Sequence, residues 1–168
     1  IIKKDGKYLI CKRSEDEKIF PGKWCVPGGK VQVTDFINLP KGTADHWLSV
    51  FERVLEKEVF EETGLRIKNI GYVSNLSLIR PNGMSTLIVS LFADYDSGVV
   101  KLDESELVDF AWVSLDEAKH YDLIENIFEQ IEKVDKKIKS NSFLKNYSEL
   151  CKKTAKVFVS KNEEIMTW

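Results

Sequence analysis

Histidine, cysteine and proline are scarce in this chain, at two, three and four residues among 168. Cys11, Cys25 and Cys151 are odd in number and show no C-x-x-C spacing, so neither a disulfide framework nor a thiolate zinc centre is implied. His46 and His120 each stand alone in a helical context, where packing or a surface position is expected, not metal ligation. No apolar run approaches the length of a membrane-crossing helix, and no secretory leader opens the sequence. An excess of one charge is missing too. Lys and Arg number 25 against 27 Asp and Glu, a formal net charge of −2. That balance argues against broad attachment to a nucleic-acid polymer or an anionic membrane, and leaves room for a small ligand held by a few local groups. A reducing cytoplasm is the expected setting.

Hydrophobic residues at 43% and charged residues at 31% describe an ordinary globular protein, most simply one domain over 1–168. IIKKDGKYLI already reads as strand–turn–strand, so native sequence before Ile1 is expected. Lys7 to Arg13 alternates as a strand after the Asp5-Gly6 turn. WCVPGGKVQ begins as a short strand and breaks at Pro27-Gly28-Gly29. A helix is expected from an N-cap near Thr43 or Asp45 to about Thr63, with Gly64 as its left-handed terminator. RIKNIGYVSNLSLIR and TLIVSLFADYD, joined by Pro81-Asn82-Gly83, read as an antiparallel hairpin. LVDFAWVSL is a further strand, and Leu115 to Ile138 carries a helical period through Ile124, Ile127, Phe128, Ile131 and Val134. In the C-terminal segment, about 139–168, SFLKNYSELCKK reads as a helix or KVFVS as a strand. The whole is an α+β layered arrangement in which helices cover a mixed sheet.

One stretch resists a routine explanation. KEVFEETGL, Lys57 to Leu65, places Glu58, Glu61 and Glu62 at the C-terminal end of the expected helix. Like charges at i,i+3 and i,i+4 repel, and the macrodipole disfavours anions there. At about 100° per residue, Glu62 falls near +40° and Glu61 near −60° from Glu58, beside the stripe of Phe51, Val54 and Leu55 with Leu48 and Val59 at its margin. Carboxylates along a core-facing stripe are costly to desolvate unless a cation meets them. Three oxygen ligands within a turn suit Mg²⁺, which takes carboxylates together with waters and substrate phosphates. A solvated acidic helix end is the bland alternative.

WCVPGGKV followed by KEVFEETGL resembles the Nudix hydrolase signature. In that family's box a glycine is followed by five residues, a glutamate, seven residues, and then Arg-Glu-aliphatic-any-Glu-Glu-any-Gly-aliphatic. Gly29, Glu58, Glu61, Glu62, Gly64 and Leu65 match, with Val59 at the aliphatic position. The similarity extends from the first strand to Trp112–Ala118. Two departures stand out. Gly29 and Lys57 are 28 positions apart where the family has 14, so about 14 residues are inserted. Counting back from Lys57, Ser49 stands where the family's acid would fall, and Asp35 is the acid that can replace it. Lys57 itself stands for the family's arginine, and binds carboxylates as a point charge without the two-pronged guanidinium geometry.

The resemblance implies a Nudix-type mixed β-sheet sandwiched by helices, with an additional C-terminal segment. It implies a Mg²⁺-dependent pyrophosphohydrolase, with Mn²⁺ as an alternative ion, that cleaves the diphosphate of a nucleotide or nucleotide-sugar such as ADP-ribose or a nucleoside triphosphate. Glu58, Glu61 and Glu62 would hold the metal together with a backbone carbonyl near Gly29. Lys57 and Glu106 would join the glutamates in catalysis, with Glu104 a lesser candidate. Arg13 and Arg80 are candidates for meeting substrate phosphates. Pro81, 16 positions beyond Leu65, sits where ADP-ribose-cleaving members carry a proline, and a turn proline explains it equally. A homodimer is suggested. A Nudix-fold module that binds a nucleotide without hydrolysing it is the competing expectation, motivated by the insertion and by Lys57.

Overall fold

A computed structural model describes residues 1–79 and 83–139. The elements run β1 (Ile2–Lys4), β2 (Lys7–Arg13), β3 (Trp24–Cys25), a 3₁₀ turn (Val33–Asp35), α1 (Val50–Thr63), β4 (Arg66–Ile79), β5 (Ser85–Ser97), β6 (Leu107–Val113), α2 (Leu115–Ala118) and α3 (Ile127–Lys139). Ile1–Val134 make one compact unit; a second begins at Asp135, and of it only Asp135–Lys139 are described. The expected C-terminal helix or strand lies outside the described residues, as do Arg80 and Pro81.

The sheet is mixed, as its helix-flanked α+β pattern required. Its order is β3-β2-β1-β5-β4, with β6 also paired to β2. Every pairing between these strands is antiparallel except β1 with β5. Buried Ile2, Leu9, Cys11, Cys25, Val59, Leu65 and Leu107 form a continuous core cluster. Val59, with Leu55 beside it, fastens α1 to the sheet. That docking places the last turn of the helix against the β2–β3 end of the sheet, where the double glycine follows β3. Among the described residues no helix is long and apolar enough to cross a membrane.

The hairpin, the Lys7–Arg13 strand and the Gly64 terminator follow the sequence pattern. Gly64 is left-handed at φ 70°, and its N–H donates to the Phe60 carbonyl at 2.9 Å. Three expectations are corrected. Helix α1 starts at Val50, not near Thr43 or Asp45, because Thr43 caps a local turn instead. Its Oγ1 accepts the His46 N–H at 3.0 Å, and Ser49 then adopts the left-handed region at φ 55°. Leu48 and Phe51 consequently stay exposed, whereas Val54 and Val59 are buried. Finally, the period from Leu115 to Ile138 is split between two helices. Asn126 is left-handed at φ 69°, and the backbone before it is drawn to β3, with Trp24 N–H donating to Asp122 O at 3.0 Å and Ile124 N–H to Trp24 O at 2.9 Å.

Cys11 and Cys25 face each other across the β2–β3 ladder, both as buried free thiols. Burial pushes the Cys25 thiol up to about 11 against a partial offset from Arg13, and pushes Cys11 higher still. In the unfolded chain these thiols ionise near pH 8.5. Above that pH the unfolded state sheds protons that the folded state keeps, so the unfolding free energy must fall as pH rises. Urea denaturation on either side of pH 9 is expected to show a loss of about 1.4 kcal/mol per pH unit per thiol. Cys25→Ala should flatten that slope.

Candidate functional site

Glu62 sits on the last turn of α1 and is buried, with 8% of its surface exposed. Its carboxylate accepts one backbone hydrogen bond, from Gly28 N–H at 3.0 Å. Burial pushes its pKa up to about 8; the Gly28 bond and the Arg13 charge work against that, and the Glu106 and Glu58 carboxylates add to it. Three acids are therefore close enough to feel one another, and the cation that reaches Glu62 is Arg13. Glu58 lies under the double glycine. A Cβ built on Gly29 would overlap the Glu58 carboxylate, so any larger residue there would push that side chain aside.

Glu106 lies just before β6, in the same sheet, and its charge acts on Glu62 from there. Arg13 pairs with Leu107 at the end of the β2–β6 ladder, and the next N–H, of Ser14, donates to the Glu106 carbonyl at 2.8 Å. The same loop satisfies the carbonyls left open at the end of α1. Lys101 N–H donates to Thr63 O at 2.9 Å and Asp103 N–H to Glu62 O at 3.0 Å. The helix end and the Glu106 loop are thus tied directly together. Glu104 is exposed on that loop.

The other expected residues distribute unevenly. Glu61 is exposed, 57% of its side chain open, and turned to Lys57 at 3.5 Å. The expectation that all three glutamates aim inward is corrected to two, because Glu61 lies at the far margin of the buried stripe and a lysine is available outside it. Lys57 Nζ also lies 3.1 Å from Asp35 and 3.4 Å from Glu58. The lysine thus links the acids of α1 to the inserted segment. A bond from Gln32 N–H at 2.7 Å, followed by Lys57, holds the Asp35 carboxyl below the usual range, and the Asp35 bond in turn raises Lys57. Arg13 bends onto the loop after β2, its guanidinium donating to Glu17 at 2.6 Å and to Ile19 O at 3.0 Å.

The insertion holds its own shape. The Phe36 and Trp47 rings are 5.3 Å apart, Trp47 Nε1 donates to Leu39 O at 3.0 Å, and Lys41 Nζ lies 4.9 Å over the Trp47 ring. The amide of Gly28 as a partner for Glu62 was not anticipated from sequence. The double glycine was the only signal, and it does not say which of its atoms faces the helix.

The donor set is made of hard oxygens gathered round a glycine cradle, and it fits a divalent cation such as Mg²⁺. Among the described residues no three His, Cys, Asp or Glu side chains are grouped so that together they could hold a metal ion. An open arrangement is what Mg²⁺ uses when it keeps waters and takes oxygens from a phosphate ligand.

Comparison with known proteins agrees with the fold. The model of the NUDIX domain matches residues 1–134. The NAD-capped RNA hydrolase NudC of Actinobacillus succinogenes is 46% identical over 67 residues, which is 40% of this chain and 24% of that protein. The chain thus spans about a quarter of the length of the NudC relatives it matches. The nucleoside triphosphatase NudI of Escherichia coli is 31% identical over 133 residues, 73% of this chain and 84% of its own length. A MutT NUDIX hydrolase structure from Burkholderia pseudomallei superimposes with a TM-score of 0.62 at 24% identity, covering 79% of this chain and 92% of that one.

Crowding at the cradle generates a direct test. Gly29→Ala forces the Glu58 carboxylate aside without touching the core. Calorimetric titration with Mn²⁺ is expected to show affinity reduced about 10- to 100-fold, with the thermal unfolding midpoint nearly unchanged.

Proposed function

The chain belongs to the NUDIX domain family, and from that premise we propose that it is a Mg²⁺-dependent pyrophosphohydrolase acting on a nucleotide or nucleotide-sugar diphosphate. One observation carries the reading: buried Glu62 and half-buried Glu58 lie against Gly28 and Gly29, with the exposed Glu106 near enough to act on Glu62 by its charge. Likeness to NudI over most of both chains supports a small nucleotide as substrate.

Glu58 and Glu62 would hold the ion, with Glu61 swinging in from its exposed position and a backbone carbonyl near Gly29 completing the protein's share. When bound, such an ion neutralises diphosphate oxygens and makes water a better nucleophile at neutral pH. The chain's own residues do the rest. Gly28 N–H fixes the Glu62 carboxylate, and Lys57 steadies Glu58 from the outer side. Glu106, whose backbone carbonyl accepts the Ser14 N–H, would take the proton of attacking water. Arg13 lowers the cost of gathering the acids through its charge near Glu62. The homodimer suggested by the family resemblance belongs to the same reading.

Purified protein with Mg²⁺, assayed against nucleoside triphosphates, ADP-ribose and sugar nucleotides, is expected to release a nucleoside monophosphate from at least one of them. A panel blank with both Mg²⁺ and Mn²⁺, or tight binding with the ligand recovered uncleaved, would overturn hydrolysis. Glu62→Gln and Glu58→Gln are each expected to lower kcat about 100-fold or more, with circular dichroism unchanged.

A further inference from the structure

Between β2 and β3 the chain makes a loop, residues 14–23, that carries two apolar side chains in the open. Ile19 and Phe20 are each 50% exposed, and the four residues before them, Glu15 to Lys18, are all charged. Phe20 also has a left-handed backbone, at φ 54°. For a bulky residue that region is a genuine outlier. A following proline, here Pro21, further disfavours anything but an extended backbone at the residue before it. The chain thus holds Phe20 in a costly conformation and leaves half of it in water.

Strain of this kind persists only where surrounding bonds over-determine it, and it gathers at ligand clamps and active sites. The loop has such bonds. Arg13 Nε donates to the Ile19 carbonyl at 3.0 Å, and the Arg13 guanidinium holds Glu17 at 2.6 Å. Ser14 O accepts the N–H groups of Glu17 and Gly22, and Ser14 Oγ accepts that of Asp16 at 3.2 Å. Lys23 N–H returns to the Phe20 carbonyl, while Lys23 Nζ meets Asp122 at 2.7 Å and fastens the far end of the loop to the segment before α3.

Arg13 also sets where the loop stands. Its charge acts on Glu62 and on Cys25, three residues before Gly28. The backbone next to Phe20 is therefore bonded to a guanidinium that is itself close to the acids of the site. An aromatic side chain held in solvent beside a diphosphate site suits one kind of group. Every nucleobase has a π-face, and stacking on an aromatic ring needs no hydrogen-bond code. A side chain already held in place also loses less freedom on contact.

We propose that Phe20 is the platform on which the nucleobase of the substrate stacks, so that the β2–β3 loop selects nucleotides over bare phosphates and sugar phosphates. The proposal rests on the nucleotide reading above and adds to it the residue that recognises the base. Arg13 is then a positioning residue, which acts through the loop it holds.

Calorimetric titration of the full chain in Mg²⁺ with AMP, GMP, CMP and UMP tests it, against ribose 5-phosphate, which has the sugar and phosphate without a base. At least one monophosphate is expected to bind about tenfold or more tighter than ribose 5-phosphate. Phe20→Ala should remove that advantage and leave ribose 5-phosphate binding as it was, whereas Phe20→Trp should keep it. Phe20→Gly separates recognition from folding. Glycine accepts the left-handed backbone, so the thermal unfolding midpoint should not fall although the base advantage is lost. The proposal is overturned if no monophosphate outbinds ribose 5-phosphate, if the advantage survives Phe20→Ala, or if that variant weakens both probes equally. The two readings fail separately. Hydrolysis of nucleotides with KM unchanged in Phe20→Ala would sink the platform alone, and base-dependent binding without any hydrolysis would sink the reaction and keep the platform.

Discussion

A carboxylate withdrawn from water must find something to carry its charge, and Glu62 finds one backbone amide. That shortfall is the constraint on which the rest of the site depends. Its own burial, with the Glu106 and Glu58 charges adding to it, pushes the Glu62 pKa up to about 8, well above a free glutamate. An acid so placed is a poor contribution to folding. It makes sense as part of a site that a multivalent cation completes, because a cation converts mutual repulsion among acids into shared attraction.

The fold is arranged to maintain that tension. Val59, wholly buried, anchors the helix turn on which Glu58 and Glu62 stand. Gly64 ends the helix immediately afterwards, and its left-handed backbone turns the chain into β4. The loop before β6 closes on the open carbonyls of the helix, so Glu106 cannot drift away without breaking those bonds. On the outer side, Asp35 from the insertion occupies one side of Lys57 and leaves the lysine shared among three carboxylates. The insertion thus contributes a charge to the periphery of the site while its own aromatic pair keeps it folded.

Much of this was legible in the sequence because it is local. Alternating residues around Pro81-Asn82-Gly83 encode a hairpin, and Gly64 encodes a helix end. Three acids spaced along one turn, behind a double glycine, pointed to a divalent-ion site, and Glu58 and Glu62 do lie against Gly29 and Gly28. What was not legible depends on distant partners. Thr43 has the chemistry of a helix cap, yet its hydroxyl serves a turn closed by His46. The apolar period continued through Phe51 and Leu48, but the helix had not started at Leu48 and Phe51 stays about half exposed. The break between α2 and α3 follows from backbone bonds to Trp24, about a hundred residues away in the chain, which no local period can register. Glu61 was misplaced for a subtler reason, since a 60° difference on a helix decides between the cradle and solvent.

The central claim is that Glu58 and Glu62 share a divalent cation beneath the double glycine. Anomalous diffraction from a crystal grown in Mn²⁺ tests it most directly. The account predicts a peak bounded by those two carboxylates and the backbone at Gly28–Gly29. A peak only at surface acids such as Glu104, with the Glu62 carboxylate still bound solely to the Gly28 amide, would contradict it.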